Sequence, residues 1–329
     1  MQKIIVVSIL FYIVSCARTK TINLKSHSFN STPAGIIHLI IPGLSEEQFL
    51  FMDEKFVSGG KSLEVNRFSC FGSIWSHNLT EISMDMNTSV VSQMTGVPVS
   101  EKKCDVYQSI PIWSKLKPFA YKSAYIEYGD SVYDEATKCN KDFFNDIAVF
   151  SSVKSSRKKG TFHYQENLDV KNGERLFDRS CQTSECFSSL ENNFFKIWEE
   201  LKKSKNKYVM MTDYTLINLI KKNRKKDFLE YMKNLNIFIA KTFDEIVDEE
   251  QNVLFILSGA NSMKPILRGS KRRSSLNLRR FERSMVSPVW ANGPQAENFC
   301  GTYSSYDIFN RFFWQSNELE IPFKEFLNL

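Results

Sequence analysis

Five short segments of the chain are almost continuously apolar and end at residues that favour turns. In chain order they read GIIHLIIPG, KSAYIEYGD, NKYVMMTDY, NVLFILSGAN and SPVWANGP. Apolar runs of this length, bounded by glycine, proline, asparagine or aspartate, are typical of buried strands. The segment NVLFILSGAN gives the clearest signal, because its apolar run is the most continuous of the five.

The longer segments between these strands have helical spacing. SEEQFLFMDEKF starts with a serine and two acids, and residues 190–203 and 227–249 repeat apolar positions every three or four residues. MDMNTSVVSQMTGV predicts a further helix that stops at Thr-Gly. Apolar strands that alternate with helices predict an α/β three-layer sandwich, with a mostly parallel central sheet flanked by helices.

Residues 1–17 have the pattern of a secretory signal peptide, because a lysine precedes a short apolar run and small residues follow it. We therefore expect a secreted, extracellular protein in which residues 18–329 form a single domain. No later segment is long and apolar enough to predict a membrane span. The carboxyl terminus also lacks the hydrophobic tail that a glycolipid anchor signal requires.

Cysteines and glycosylation sequons fit an oxidising compartment. Cleavage after the signal would leave an even number of cysteines, which favours disulfides without fixing their pairing. Cys181 and Cys186 are close enough to close a small local loop. The disulfide candidates are Cys70, Cys104, Cys139, Cys181, Cys186 and Cys300. Sequons predict glycosylation at Asn30, Asn78 and Asn87.

The formal net charge of +6 is unevenly distributed. Residues 267–283 carry seven basic residues against one acid, and residues 154–159 and 221–226 form two further basic runs. Charge patterning alone favours solvated loops and helix faces. The alternative is a surface that binds an anionic partner such as a glycan. No nucleic-acid-binding motif accompanies these runs, so we expect no nucleic acid partner.

The carboxyl ends of the predicted strands are where a parallel sheet binds ligands. Zinc prefers imidazole, thiolate and carboxylate ligands there, and magnesium prefers oxygen ligands. These ends offer only Asp85 and Asp213 as carboxylates, and none of the four histidines forms a pair at ligand spacing. His38 lies inside the first strand, which indicates a hydrogen-bonded core residue. His77, in a predicted loop, is a weak ligand candidate.

The order of these segments resembles the alkaline phosphatase family. MDMNTSVVSQMTGV resembles the helix that carries the family's nucleophilic serine, and IIHLIIPGLSEEQF resembles its first strand. YVMMTDYTLINLI, NVLFILSGAN, KSAYIEYGDSVYDEA and SPVWANGPQAENFCG resemble four more of its segments. The resemblance spans residues 35–313 with large gaps. It implies the family's fold and, for an active member, zinc and magnesium as cofactors.

The positions that perform the family's chemistry differ in this chain. Counting back from the Thr-Gly-Val stop places Asp85 on the family's aspartate and Met86 on its nucleophilic serine. A thioether cannot attack phosphorus. The positions of metal contacts carry Pro42, Asp134, Ala136, Thr212, Ile217, Asn218, Ala260, Asn261 and Glu282. The stretch that would supply a phosphate-binding arginine is missing after Thr137.

This joint loss predicts a secreted, catalytically inactive relative that acts by binding and carries no metal cofactor. Its partner would be an unknown protein or an anionic glycan. A homodimer like that of the family is possible, but the sequence does not decide it, because the insert that caps the family's dimer is absent or reduced. The alternative is an active metal-dependent phosphatase with a rebuilt zinc and magnesium site. That site would use Asp85, Asp130, Asp134 and Asp213.

Two further expectations concern the start of the nucleophile-like helix. Thr88 and Ser89 could hold an anion there, because the backbone N–H groups of a helix start attract negative charge. The simpler interpretation is that both residues cap the helix. A sugar on Asn87 would stand next to the old nucleophile position, which a working site could not accept.

Overall fold

The computed structural model describes residues 32–56, 63–76, 85–98, 104–152, 175–176, 189–250, 252–265 and 278–313. The signal-like residues 1–17, Asn30, Asn78, His77, Cys181, Cys186 and the basic run 154–159 lie outside these ranges. The strands are β1 (Gly35–Pro42), β2 (Cys70–Trp75), β3 (Tyr121–Tyr128), β4 (Ala148–Ser151), β5 (Arg175–Leu176), β6 (Asn206–Asp213), β7 (Val253–Ala260), β8 (Met263–Pro265), β9 (Phe281–Arg283), β10 (Val286–Asn292) and β11 (Gly301–Ser304).

Nine of these strands form one sheet in the order β11-β2-β10-β7-β1-β6-β3-β4-β5, and β8 and β9 pair separately. Strand β1 is parallel to both β6 and β7, and β3 is parallel to β6 and β4. Only β10, among the described strands of this sheet, runs antiparallel to its neighbours β7 and β2. The predicted mostly parallel central sheet is therefore confirmed.

Helices cover both faces of the sheet. They are α1 (Glu46–Phe56), α2 (Met86–Thr95), α3 (Ile112–Leu116), α4 (Val132–Cys139), α5 (Leu190–Leu201), α6 (Thr215–Lys221), α7 (Lys225–Thr242) and α8 (Asp307–Arg311). Short 3-10 turns lie at Glu64–Arg67, Asp105–Gln108, Lys117–Phe119, Leu278–Arg280 and Ala296–Phe299. The predicted helix over 227–249 corresponds to α7 and to a π-helical turn at Phe243–Val247 that continues it.

The two faces of the sheet have separate hydrophobic cores, as a three-layer sandwich requires. In β1, Ile37, Leu39 and Ile41 belong to the core beneath α1, α5 and α7, whereas Ile36 and Ile40 belong to the core beneath α2, α3, α4 and α8. This division follows the two-residue alternation of side chains along a strand. It explains why β1 is apolar throughout rather than alternating in polarity.

His38 lies in β1 and is fully buried, as its place in an apolar strand predicts. Its Nδ1 lies 3.5 Å from the Tyr208 hydroxyl, and its Nε2 lies 3.5 Å from the Ser258 hydroxyl. Burial lowers the pKa of His38 to about 3. The ring is therefore neutral at physiological pH and serves as a core residue.

Two disulfides join parts of the fold that are distant in sequence. Cys70 of β2 pairs with Cys300, which precedes β11, and Cys104 pairs with Cys139 at the end of α4. These four cysteines are among the predicted candidates. In the part of the chain that the structure describes, no helix is long and apolar enough to cross a membrane.

Candidate functional site

The carboxyl ends of β1, β6 and β7 meet in the middle of the sheet, and the amino end of α2 contacts them. We call the residues gathered there the strand-end cluster. They stand where the resemblance expects the nucleophile and several metal ligands. The strand-end cluster consists of Pro42, Met86, Thr212, Ile217, Ala260 and Asn261.

Apolar side chains close the centre of the strand-end cluster. Pro42 lies beside Ala260 in the register of β1 and β7, and Ala260 is 1% exposed. Ile217 is buried over Gly43, where an added β-carbon would lie only 3.2 Å from the Ile217 Cβ atom. These side chains offer no lone pair to a cation, whereas zinc and magnesium sites require nitrogen, sulfur or oxygen donors.

The polar members of the cluster are engaged with other protein groups. The Thr212 hydroxyl accepts a hydrogen bond from the Tyr125 hydroxyl at 3.3 Å. The Asn261 carboxamide donates to the backbone oxygen of Asp85 at 3.3 Å. Asn261 has a left-handed backbone (φ 47°), a conformation that asparagine tolerates better than most residues. Both Thr212 and Asn261 are buried, so a ligand would have to displace these internal contacts.

The start of α2 differs in detail from the sequence prediction. Asp85 is the N-cap residue, and the helix begins at Met86. Thr88 and Ser89 lie inside the first turn, so the interpretation that they cap the helix is wrong. The Thr88 hydroxyl is 3.4 Å from the Asp85 Oδ2 atom, while the Ser89 hydroxyl is buried and has no hydrogen-bond partner among the described residues. An anion at this turn stays a prediction.

The end of α2 matches the Thr-Gly stop that the sequence indicates. Gly96 is the C-cap residue and has a left-handed backbone with φ 71°. A β-carbon at this position would lie 2.6 Å from a ring carbon of Phe309 in α8. Glycine therefore allows both the turn and the close packing of α8 against α2.

Asn87 forms a bridge between two elements beside Met86, which the resemblance places at the family's nucleophile position. Its Nδ2 atom donates to the Glu135 carboxylate of α4 at 2.7 Å, and its Oδ1 atom accepts from the Tyr214 hydroxyl at 2.6 Å. N-glycosylation would attach a sugar to the same Nδ2 atom. The predicted sugar at Asn87 stays untested, but a folded chain carrying it would have to rearrange this bridge.

A buried polar network fixes α2 on the sheet beneath the cluster. Gln93 donates to the backbone oxygen of Gly259 at 2.9 Å and accepts from the Ser258 hydroxyl at 2.8 Å. Ser258 also faces His38. Because both ends of the Gln93 carboxamide are hydrogen-bonded inside the protein, the network orients the helix on the sheet.

The remaining positions of the resemblance lie outside the strand-end cluster. Asp134 and Ala136 lie in α4, and Asn218 of α6 donates weakly to the Gly129 oxygen at 3.4 Å. Glu282 is exposed on β9, in the separate two-stranded sheet. These residues come from three elements, α4, α6 and β9.

The four aspartates of the alternative site occupy different environments. Asp85 and Asp130 are exposed, and Asp130 accepts from the Ser131 backbone N–H at 2.8 Å. Asp213 is buried and faces the other side of the sheet from Thr212, because neighbouring residues of a strand point in opposite directions. Among the residues that the structure describes, no three histidine, cysteine, aspartate or glutamate side chains converge as a metal site.

Sequence reasoning missed Glu127, a buried carboxylate at the end of β3. It accepts hydrogen bonds from the Ser131 hydroxyl at 2.7 Å, from the Ser151 hydroxyl and from the Tyr133 backbone N–H at 3.1 Å. Ser131 in turn caps α4 through the Asp134 backbone N–H. Glu127 thus positions the start of α4. The glutamate within the apolar segment KSAYIEYGD was the only local sign of this role. Its hydrogen-bond partners come from two separate segments of the chain, which the local pattern does not reveal.

The folded chain is similar to solved members of one structural group. It matches the alkaline phosphatase from the Antarctic bacterium TAB5 with a TM-score of 0.60 and 14% identity, covering 86% of this chain and 98% of that chain. The match to Thermus thermophilus alkaline phosphatase has a TM-score of 0.60 and 10% identity, covering 90% and 94%. The lipoteichoic acid synthase LtaP from Listeria monocytogenes matches with a TM-score of 0.51 and 12% identity, covering 86% and 71%.

These likenesses establish the fold. The chain has an alkaline phosphatase-like α/β fold, as the motif order implies. No protein-family profile matches the chain, and no curated protein matches it in sequence.

Proposed function

We propose that this chain is a secreted, catalytically inactive protein of alkaline phosphatase-like fold that acts by binding. One observation carries the proposal: the side chains at the strand-end cluster are apolar or hydrogen-bonded to other protein groups. Ile217 covers Gly43, Tyr125 binds Thr212, and Asn261 binds the Asp85 backbone. A phosphatase of this architecture needs the same space for cations and for an attacking group.

Secretion is supported by the signal-like start of the chain and by its disulfides. Disulfides persist in oxidising compartments and are rare in the cytosol. The pairs Cys70–Cys300 and Cys104–Cys139 each close a long stretch of chain, with sequence separations of 230 and 35 residues.

An anionic partner is supported by a surface that we call the basic face. Two basic runs that are distant in sequence meet there, because α6 contacts the turn Leu278–Arg280 and the Phe228 ring lies 5.7 Å from the Phe281 ring. All residues of 221–226 are exposed. The basic face consists of Lys221, Lys222, Arg224, Lys225, Lys226, Arg279 and Arg283.

The basic face brings seven basic side chains onto one surface. Arg224 pairs with Asp227, and Glu282 lies opposite Lys264 on the small sheet. A concentration of cations on one face raises the local potential and attracts an anionic polymer. We therefore favour a sulfated or otherwise anionic glycan over an uncharged partner.

The activity test uses the full-length protein secreted from cells and assayed with p-nitrophenyl phosphate in zinc and magnesium. We expect no turnover that depends on metal, and less than stoichiometric zinc and magnesium by elemental mass spectrometry. Turnover that a chelator abolishes would overturn the proposal.

A control variant separates intrinsic activity from a contaminating phosphatase. Replacing Asp85, Asp130 and Asp134 with asparagine removes the three aspartates of the alternative site that are not fully buried. Activity of the chain itself through a rebuilt site must fall in this variant. Activity that is equal in both preparations belongs to a contaminant.

The basic face is tested by retention on a heparin column. Replacing Lys221, Lys225 and Lys226 with alanine should lower the salt concentration needed for elution, because fewer contacts compete with salt. A matched control replaces three exposed lysines of other surfaces, Lys138, Lys141 and Lys205. Equal shifts for the two triple variants would show that total charge, rather than this surface, determines retention.

A further inference from the structure

A cavity of about 310 Å³ opens on the face of the sheet opposite the strand-end cluster. It lies between the start of α5, the middle of α7 and the end of β6. Its apolar wall comes from β1, α5 and α7 and includes Leu39, Leu190, Leu235 and Phe238. The volume is at the small end of the range that ligand pockets show. We call this space the Asp213 cavity.

Asp213 provides a buried carboxylate in the lining. It is 6% exposed, and its Oδ1 atom accepts from the Thr215 backbone N–H at 2.9 Å while its Oδ2 atom accepts from the Tyr231 hydroxyl at 2.8 Å. Burial raises the pKa of Asp213, although these two hydrogen bonds act in the opposite direction. A carboxylate oxygen can accept more than one hydrogen bond, so each retains acceptor capacity.

No cation of the protein neutralises this carboxylate among the described residues. The other carboxylate in the lining, Glu191, pairs with Lys241 at 3.2 Å. The ion pairs of the described chain do not include Asp213, and the described residues of the lining include no lysine or arginine. Isolated buried charges are costly, so proteins normally pair them or use them.

Aromatic rings stand next to the carboxylate. Tyr128 of β3 and Tyr231 of α7 line the same space, with Phe238 further along α7. An ammonium group is attracted both to a carboxylate and to the faces of aromatic rings. The lining therefore combines a carboxylate, aromatic rings and aliphatic side chains within one small volume.

We propose that the Asp213 cavity binds a small organic cation, namely a primary amine with a compact aromatic or aliphatic body. The ammonium group supplies a counter-charge that no described side chain gives to Asp213, and the body packs against Leu39, Leu235 and Phe238. The cavity is independent of the strand-end cluster and of the basic face, so this inference stands or falls separately from the proposed function.

The test is calorimetric titration of the full-length protein with 2-phenylethylamine, with 2-phenylethanol as the neutral probe of similar shape. We expect the amine to bind about tenfold or more tightly than the alcohol, the range of a charge-assisted hydrogen bond. Asp213→Asn should remove that preference. Glu230→Gln removes the same charge from an exposed position of α7 and should leave the preference unchanged.

A second variant keeps the test decisive if Asp213→Asn does not fold. Ile237 lines the cavity and is 49% exposed, so Ile237→Trp should obstruct the space without touching the carboxylate. We expect amine binding to be lost in this variant. The inference is overturned if both probes bind the native chain equally, if neither binds, if the preference for the amine survives Asp213→Asn, or if amine binding survives Ile237→Trp.

Discussion

Thr212 and Asp213 are neighbours at the end of β6, yet they face two regions with opposite character. Thr212 belongs to the strand-end cluster, where its hydroxyl is bound by Tyr125. Asp213 faces a cavity in which no described side chain supplies a counter-charge. The polar side chains of the strand-end cluster are buried and hydrogen-bonded to other protein groups. The Asp213 cavity contains a buried carboxyl group that no described lysine or arginine neutralises, and such groups are frequent at binding sites.

The largest effect is expected when a metal-ligand side chain is returned to the strand-end cluster. Ala260→Asp would place a carboxylate where the native side chain is 1% exposed, beside Pro42. Without a cation, an unpaired buried charge costs on the order of 3–5 kcal/mol. Chemical denaturation should therefore show a loss of this size in the free energy of unfolding, or the variant should not fold.

Ala260→Asn separates charge from size, because asparagine has nearly the volume of aspartate. It should destabilise the chain less than Ala260→Asp. Equal losses would show that crowding alone determines the effect. Recovery of Ala260→Asp by added zinc would contradict the view that the strand-end cluster has lost its ability to hold a cation.

A smaller loss of stability is expected when the hydrogen bond between Asn87 of α2 and Tyr214 is removed. Asn87→Ala removes the acceptor of the Tyr214 hydroxyl, and Tyr214 is 1% exposed. Leaving a buried donor without its partner costs about 1–3 kcal/mol. The double variant with Tyr214→Phe should lose less than the sum of the two single variants, because both changes remove one interaction. If the losses in the free energy of unfolding are additive, the Asn87 and Tyr214 side chains do not interact energetically.

The central sheet was well predicted, because its central strands are long, almost continuous apolar runs. Strands β1 and β7 bury all eight of their residues and β6 buries seven of its eight, so their apolar runs leave few alternatives. The strands β4 and β11 have four residues each and were not predicted. Segments this short carry no periodic signal, and their pairing depends on distant neighbours.

The candidate sites were predictable only in part. The resemblance located Pro42, Thr212 and Ala260 at strand ends, because it rests on the order of the strands. It did not predict the contacts that now occupy the site. Asn87 and Tyr214 are 127 residues apart, and Asp213 meets Tyr231 only through the packing of α7 on the sheet. Such pairs depend on the relative orientation of elements, which no local pattern specifies.

The smallest effect concerns the pH dependence that Asp213 gives to stability. Burial raises the pKa of this carboxyl above its ordinary value of 3.8, so the folded chain binds the proton more tightly than the unfolded chain. Stability from this group therefore rises as pH falls through the folded-state pKa, and the gain is complete below 3.8. The neighbours that face it are Tyr128, Tyr231 and the paired Glu191.

Asp213→Asn removes the titrating carboxyl group. It therefore tests directly whether the Asp213 cavity differs from the strand-end cluster. The free energy of unfolding of the native chain, relative to this variant, should increase as the solution is acidified from neutral pH. Each unit by which the pKa is raised contributes about 1.4 kcal/mol to that increase. Urea denaturation of both proteins at several pH values measures it, with Glu230→Gln as the control for losing one carboxylate from α7. A difference that is constant with pH, or that shrinks on acidification, would mean that Asp213 is already compensated in the folded chain. A saturating amine should reduce the increase, because it stabilises the ionised carboxylate that burial disfavours.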